Sequence, residues 1–173
     1  WTIAESPYVV RQSPLVVAEG AMLTIEPGVV VKFDADAGLY ADGTISAVGT
    51  AAEPILFTSY KDDTVGGDTN GDGSGSSPSA GDWDGIKMQT GSSVDIDHAE
   101  IRYGGSGSWP YWASTIRNEG GTASVTNSII ASSSQQTVYH ISGTTTIATT
   151  TIDTKSSTIV NPELVFFCIR LIN

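Results

Sequence analysis

Short apolar runs separated by Gly, Ser, Thr and Asn recur along the whole chain. Examples are residues 8–10, 15–17 and 22–25, followed by the longer apolar run 29–33. No window keeps apolar residues at the 3.6-residue spacing of an amphipathic helix, because Gly, Pro and Thr interrupt every one of them. The pattern therefore predicts a chain of short β-strands joined by turns.

The second half of the chain repeats itself. Residues 121–130 align with residues 143–152 at an offset of 22 residues, and earlier repeats align at offsets of 29 and 30. The aligned pairs are Ile116 with Val138, Asn118 with His140, Ile96 with Val125, Ile101 with Ile130, and Ile86 with Ile116. Repetition of short strands at such intervals is typical of a β-solenoid, whose stacked coils bury a continuous ladder of apolar side chains. We therefore expect each pair to occupy equivalent positions in neighbouring coils.

The repeat predicts an all-β fold, a parallel β-helix of about five coils that spans residues 1–160. Residues 61–85, called the insert below, interrupt it between the second and the third coil. The insert has no apolar periodicity and is dense in Gly, Ser and Asp. A stretch of this kind inside a compact domain is either disordered or functional.

Charge and hydropathy narrow the range of partners. The 173 residues include 8 basic and 19 acidic ones, which gives a formal net charge of −11. Such a charge repels nucleic acid, so we expect no nucleic-acid partner. No apolar stretch reaches the length of a transmembrane helix, so we expect no membrane insertion. Cys168 is the single cysteine, which excludes an intrachain disulfide.

Several sequence motifs between Ser6 and Ser157 carry a resemblance to one kind of repeat protein. They are SPYVV, AMLTIEPGVVVKF, GTISAVGT, PILFTS, HAEIRYGG, and the segment that runs from GGDTNGDG to GDWDGI. Together they resemble a bacterial family of right-handed parallel β-helix repeats. The resemblance implies a right-handed β-helix in a secreted or cell-surface protein. It implies no activity, because the fold hosts lyases, glycosidases, adhesins and passive stalks.

The insert contains a candidate calcium site. Asp68, Asn70 and Asp72 would supply side-chain oxygens two residues apart, and Ser74 would supply a backbone carbonyl. The position where an EF-hand carries its bidentate Glu is Ser79, so a complete site needs further ligands. The residues able to complete it are Asp62, Asp63, Asp82 and Asp84. The alternative is a solvated acidic loop without an ion.

A second inserted loop contains Trp109, Tyr111 and Trp112. Exposed Trp and Tyr stack on sugar rings or form protein interfaces, so these residues are candidates for binding a polysaccharide or another surface partner. Because the two inserted loops leave neighbouring coils, we expect them to border one groove. The alternative is that the rings fold back and cover the solenoid.

Two carboxylates form a candidate catalytic site. Inward-facing Val94 and Ile96 would turn Asp95 and Asp97 outward on one strand, about 6–7 Å apart, with Arg102 following on the same coil. The carboxylates would then serve as acid and base of a polysaccharide lyase or glycoside hydrolase. The alternative is an ordinary solvated strand face of an acidic protein.

The last thirteen residues, 161–173, are apolar on both alternating faces, unlike the earlier coils. One interpretation is a C-terminal cap, or a strand that pairs with a second copy, because an open last coil leaves an unpaired edge. The other interpretation is a non-native tail. An uncovered apolar segment favours self-association in either case, so we expect a homo-oligomer.

The sequence thus favours a secreted or cell-surface bacterial β-helix module. Its expected role is structural, or the binding of a glycan or other surface partner, with a structural calcium ion in the insert. The competing hypothesis is a polysaccharide-active enzyme, a lyase or glycoside hydrolase that uses the outward carboxylates.

Overall fold

The computed structural model describes residues 1–106, 113–134 and 136–153, together with the backbone of residues 165–167 and 170–172. The elements are a 3₁₀ turn (Ile3–Glu5) and the strands β1 (Tyr8–Val10), β2 (Leu15–Val17), β3 (Met22–Ile25), β4 (Val30–Phe33), β5 (Leu39–Ala41), β6 (Thr44–Val48), β7 (Ile55–Ser59), β8 (Ile86–Met88), β9 (Ser93–Asp97), β10 (Ala99–Arg102), β11 (Ser114–Thr126), β12 (Ile129–Ala131), β13 (Gln136–Ala148), β14 (Thr151–Asp153), β15 (Val165–Phe167) and β16 (Arg170–Ile172).

These strands pair in parallel and form the three faces of a solenoid. The first face has the order β1-β4-β7-β10-β12-β14-β16. The second face contains β2, β5 and β8, and the third contains β3, β6 and β9. β11 and β13 run through the corner between the second and third faces, so that each strand contributes to both. The chain thus climbs one coil each time it passes the three faces.

Counted from β2, the coils are β2-β3-β4, β5-β6-β7, β8-β9-β10, β11-β12 and β13-β14. The predicted all-β parallel β-helix of about five coils is therefore confirmed. Each of the five residue pairs expected from the repeat lies in direct register, including Ile96 opposite Val125 and Asn118 opposite His140. The insert joins β7 to β8, between the second and the third coil as predicted.

Inward-facing side chains form one continuous core along the axis. Phe33, Phe57 and Trp83 are fully buried and form an aromatic cluster in it. The Trp83 ring stacks on Phe33 with a centroid distance of 4.3 Å, and its indole N–H donates to the carbonyl of Arg102 at 2.8 Å. Trp83 is thus a structural residue, and it anchors the end of the insert to the core.

The corner between the third and first faces changes in length along the solenoid. His98 alone separates β9 from β10, and it has a left-handed backbone with φ of 47°. Asn127 takes the equivalent corner position one coil later, with φ of 48°. Asn tolerates this conformation because its short polar side chain bonds locally. The corner after β6 is longer, since it runs from Gly49 to Pro54.

Both inserted loops leave the corner between the first and second faces, on successive coils. The insert joins β7 to β8, and the second inserted loop joins β10 to β11. They also contact each other: the Gly81 N–H donates to the Tyr103 carbonyl at 3.0 Å, and the Ser106 N–H donates to the Trp83 carbonyl at 2.9 Å. The described residues of the two loops are therefore neighbours, and the expected groove between the loops stays a prediction.

The last strands continue the stack. The backbone of β15 pairs with β13, and that of β16 pairs with β14, both in parallel. The three interpretations of residues 161–173, a cap, an interface strand or a non-native tail, stay predictions. The domain limit at residue 160 also stays a prediction. Within the described part of the chain, no helix is long and apolar enough to span a membrane.

The buried aromatic cluster of Phe33, Phe57 and Trp83 predicts a large stability loss on truncation. We expect Phe33→Ala to lower the free energy of unfolding by about 3–5 kcal/mol, because it removes a fully buried ring and leaves a cavity beside Trp83. Val16→Ala, on an outward position that is 51% exposed, should change it by less than about 0.5 kcal/mol. Denaturant unfolding followed by circular dichroism measures both. Equal losses would contradict the placement of Phe33 in the core.

Candidate functional site

The insert folds back over the outer surface of the first face. Gly66, with φ of 65°, comes so close that a Cβ there would lie 3.1 Å from Pro7 and 3.3 Å from Val30. The Tyr60 hydroxyl donates to the Thr69 carbonyl at 2.9 Å. The insert therefore begins as a packed layer on β4 and β7 rather than as a free loop.

Lys32 is the main attachment point of this layer. It points outward from β4, yet it is fully buried because the insert covers it. Its ammonium group donates to the backbone carbonyls of Asp62 at 2.7 Å and Gly67 at 2.5 Å. Burial lowers the pKa of Lys32, and the nearby carboxylates of Asp63, Asp62 and Asp68 oppose that shift. The Lys32 ammonium group therefore holds the first half of the insert, which surrounds it with backbone carbonyls and carboxylates.

Asp62 ties the insert to the neighbouring coil. Its carboxylate accepts hydrogen bonds from the hydroxyls of Thr58 at 2.6 Å and Thr64 at 2.5 Å, and it lies 4.0 Å from the Arg102 guanidinium. Burial alone would raise the pKa of Asp62, but the bonds from Thr58 and Thr64 outweigh burial, so the pKa is lowered. The Asp62 carboxylate therefore stabilises the base of the insert.

Asp82 and Asp84 hold the far end of the insert. Asp82 accepts from the Ser59 hydroxyl at 2.7 Å and from the Lys61 ammonium at 2.9 Å, so it closes the neck of the insert. Asp84 accepts from the Tyr40 hydroxyl at 2.6 Å. Burial, together with this bond to Asp84, raises the pKa of Tyr40. The structure thus places both aspartates apart from the DTNGDG turn.

The DTNGDG segment forms a turn around its own carboxylates. Asp68 accepts from the N–H groups of Gly71 at 2.7 Å and Gly73 at 2.9 Å, and the bond from Gly73 is the main cause that lowers the Asp68 pKa. The Asp72 carboxylate accepts from the Ser76 hydroxyl at 2.6 Å and from the Asn70 amide at 3.1 Å. The turn therefore presents two carboxylates at the outer end of the insert.

Asp63 brings a third carboxylate to this turn. Three carboxylate oxygens lie within 4.8 Å of one another, one each from Asp63, Asp68 and Asp72. Within the described part of the chain, Asp63 Oδ1 is buried and has no hydrogen-bond partner. Converging carboxylate oxygens suit a hard divalent cation such as calcium.

The predicted ligands therefore divide into two groups. Asp68 and Asp72 converge with Asp63, one of the four residues expected to complete the site. The side chains of Asp62, Asp82 and Asp84 bond elsewhere, as described above. Asn70 lies in the same turn and donates to Asp72 and Ser76, while Ser74 is exposed.

The outward carboxylates of β9 differ in their surroundings. Val94 and Ile96 are buried and Asp95 is exposed, as the alternation predicted. Asp97 accepts from the Thr126 hydroxyl and the Asn127 amide of the next coil, both at 2.7 Å. Burial raises the pKa of Asp97, but the bonds from Asn127, Thr126 and His98 outweigh burial, so the pKa is lowered. Asp97 therefore serves as a link between coils.

Arg102 lies on a different face from the two aspartates. Asp95 and Asp97 belong to β9 on the third face, whereas Arg102 belongs to β10 on the first face. The Arg102 guanidinium bonds to the Glu100 carboxylate at 2.7 Å. The structure does not bring the three candidate catalytic residues to one face, and a catalytic role for them stays a prediction.

The aromatic candidates Trp109, Tyr111 and Trp112 lie outside the described residues. The described flanks of their loop contact the insert through Tyr103 and Ser106, as given above. Ser106 also donates its hydroxyl to Asp84. The glycan- or partner-binding role of the three rings stays a prediction.

Sequence reasoning missed the part that Lys32 plays. One feature of the sequence could have indicated this role: Lys32 is the one charged residue in the otherwise apolar run 29–33, and it takes an outward position on a buried strand. A lysine there needs acceptors that cover it, because an unpaired buried ammonium is costly. Asp62 and Gly67 supply those acceptors from the insert, about thirty residues later in the chain, a relation that no local motif reveals.

Comparisons with known proteins agree with the β-helix. The sequence profile of one family, described as a pectate-lyase like beta helix domain, matches residues 2–109. A segment of 56 residues is 45% identical to the protein bark beetle of Drosophila melanogaster. This segment is 32% of the present chain but 2% of that relative, so the chain spans a very small part of it. No solved structure matches the chain significantly.

The link at Asp97 predicts a specific acid sensitivity. Because the Asp97 pKa is lower in the folded state than in the unfolded chain, its contribution is complete above about pH 4 and is lost as the pH falls through the folded value. We therefore expect stability to fall with acidification below about pH 4, and Asp97→Asn to reduce that slope. Melting temperatures measured from neutral pH down to about pH 2.5 test this.

Asp95→Asn is the matched control for this experiment, since Asp95 lies on the same strand and is exposed. It should leave the acid slope close to that of the unmodified chain. If Asp95→Asn flattens the slope as much as Asp97→Asn does, the proposed link between coils is not the cause.

Proposed function

Since the chain belongs to the pectate-lyase-like β-helix domain family, we propose that it is a structural and binding module of a secreted or cell-surface protein, with a calcium ion organising its insert. The family match covers more than half of the chain, from residue 2 to residue 109. The bacterial source, the location and the surface partner are parts of this proposal. They rest on the resemblance of the repeat motifs and on the family.

One observation carries the calcium proposal. Three carboxylate oxygens, from Asp63, Asp68 and Asp72, lie within 4.8 Å of one another at the outer end of the insert. Carboxylates held this close repel each other unless a proton or a cation neutralises them. Asp63 Oδ1 is buried without a hydrogen-bond partner among the described residues, and an ion would satisfy it.

The nearby cationic side chains, Lys32 and Arg102, do not neutralise the three converging carboxylates and so do not take the place of a calcium ion. The Lys32 ammonium group donates to two backbone carbonyls, and its single charge lies among several carboxylates. Arg102 faces Asp62 and Glu100 instead of the converging group. The net charge at the DTNGDG turn therefore stays negative, which favours a divalent cation. Bound there, calcium would fix the outer turn onto the layer that Lys32 already attaches.

A structural or binding role fits this arrangement better than catalysis does. Asp97 is occupied by the corner of the next coil, and Arg102 lies on another face. The insert and the second inserted loop leave the same corner and meet there, and the proposed surface for a polysaccharide or another partner lies at that corner. Trp109, Tyr111 and Trp112 are the residues proposed to contact it.

Calcium binding is testable on the whole chain after dialysis against a chelator. We expect calorimetric titration to give one site per chain. Calcium at about 100 times its dissociation constant stabilises a one-site protein by about 2.7 kcal/mol, which raises the melting temperature by about 5–10 °C. Calcium should also slow proteolysis within the insert, because the ion fixes the outer turn.

Asp63→Asn, Asp68→Asn and Asp72→Asn should each abolish the binding heat. Asp42→Asn removes one exposed carboxylate from a distant turn and is the matched control, which should bind calcium like the unmodified chain. Absence of binding heat in the unmodified chain would refute the calcium site. Equal loss in Asp42→Asn would point to general charge effects instead.

The non-catalytic role predicts no polysaccharide turnover. The chain is incubated with acidic and neutral polysaccharides, with and without calcium, and reducing ends and unsaturated products are measured. Product formation that disappears in both Asp95→Asn and Asp97→Asn would overturn the non-catalytic role and support the competing lyase or glycoside hydrolase. Product formation that these variants leave unchanged would place catalysis elsewhere in the chain.

A further inference from the structure

A step at one corner of the solenoid creates a cavity. The corner that follows β6 runs from Gly49 to Pro54, whereas the next corner consists of His98 alone. The longer corner projects as a ledge that is closed by paired backbone bonds between Thr50 and Glu53, at 3.1 and 3.2 Å. Because the later corners are short, the space below the ledge stays open.

This space, called the corner cavity here, has a volume of about 280 Å³. The ledge supplies Thr50, Ala51 and Pro54, and the next two coils supply the opposite wall. That wall consists of His98, Ala99, Glu100, Asn127 and Ile129. Binding pockets for small molecules begin at about 300 Å³, so the cavity is the size of one sugar ring or a similar small molecule.

Hydrogen bonds to the wall fix its polar groups. His98 Nδ1 lies 3.0 Å from Asp97 Oδ2, and Asp97 Oδ1 accepts from the Asn127 amide at 2.7 Å. In the neutral tautomer that donates from Nδ1 to the carboxylate, Nε2 is the acceptor available to a ligand. The corner backbone of His98 and Asn127 is held by the coils on either side, so these groups are oriented before any ligand arrives.

Local charges decide which ligands fit. Glu100 is the charged residue of the lining, and its Oε1 accepts from both Arg102 Nε and Nη2 at 2.7 Å. A cationic ligand would have to displace the Arg102 guanidinium to use this carboxylate. An anionic ligand is repelled by Glu100 and by the formal net charge of −11. A neutral ligand with many hydroxyl groups suffers neither penalty.

The apolar part of the lining narrows the choice further. Ala51, Pro54 and Ile129 contribute apolar surface, and Ile129 is 42% exposed although it is a large aliphatic side chain. A pyranose ring has C–H faces that pack on such surface by dispersion and hydroxyl edges that donate and accept hydrogen bonds. The side chains of His98, Glu100 and Asn127 supply the matching polar groups.

We propose that the corner cavity binds one neutral sugar unit of a glycan, with the ring packed on Ala51, Pro54 and Ile129 and its hydroxyls bonded to His98, Glu100 and Asn127. This inference gives the binding role proposed above a second site. It rests on that role but requires neither calcium nor residues 107–112. The cavity lies at the corner between the third and first faces, away from the corner that carries the insert.

The test uses the full chain and methyl glycosides of glucose, galactose, mannose and N-acetylglucosamine. Saturation-transfer NMR identifies a binder, and calorimetry gives its dissociation constant, which we expect near 1 mM for a single neutral sugar unit. Galacturonate and choline serve as the anionic and cationic comparison ligands. All titrations are repeated with a chelator, so that loss of calcium binding is distinguished from loss of sugar binding.

Ala51→Trp fills the cavity from an exposed turn position, and we expect it to weaken binding at least about tenfold. Ala52→Trp is the matched control, because Ala52 is the adjacent exposed residue and does not line the cavity; it should bind normally. His98→Asn keeps a side chain that tolerates the left-handed corner and removes the ring acceptor. It should weaken binding about three- to tenfold.

Three results would overturn the proposal. The first is that none of the four neutral glycosides binds at about 10 mM. The second is that Ala51→Trp binds as tightly as Ala52→Trp does, which would place the sugar elsewhere. The third is that galacturonate or choline binds more tightly than every neutral glycoside. Binding that persists in chelator while calcium titration fails would leave this site intact and remove the calcium ion from the proposed function.

Discussion

A strand of three to five residues buries its inward side chains only when equivalent strands lie above and below it. Ile96 shows this requirement, since Ala47 of the preceding coil and Val125 of the following coil flank it in register. A slip of one residue would turn every inward side chain of that strand to the outside. The stacking register is therefore the constraint on which all other features depend, and it leaves only the corners free to vary in length.

Both candidate sites follow from that freedom. The insert and the second inserted loop enlarge one corner on successive coils, and the ledge at residues 49–54 enlarges another corner once. None of these changes alters the pairing of the strands that flank them. The solenoid thus acts as a fixed frame, and chemistry is added at its edges, where side chains from two or three coils meet.

The sequence predicted the frame well because burial repeats the same residue types at each ladder position, as in the pairs Ile116–Val138 and Ile101–Ile130. It predicted the sites less well. The DTNGDG motif identified Asp68 and Asp72, but the role of Lys32 depends on a fold-back over thirty residues. Arg102 is close to Asp97 in sequence, yet the single-residue corner at His98 turns it onto another face. Local spacing carries no information on such turns.

The packed insert also bears on how the solenoid resists force. The backbone hydrogen bonds between coils run along the axis, so a pull on the two ends loads the coil junctions in series and the weakest one opens first. The insert bridges three of the first-face strands, through Lys32 on β4, Thr58 on β7 and Arg102 on β10. These side-chain contacts act in parallel with the backbone ladder, so we expect the insert to strengthen one side of the early coils against force.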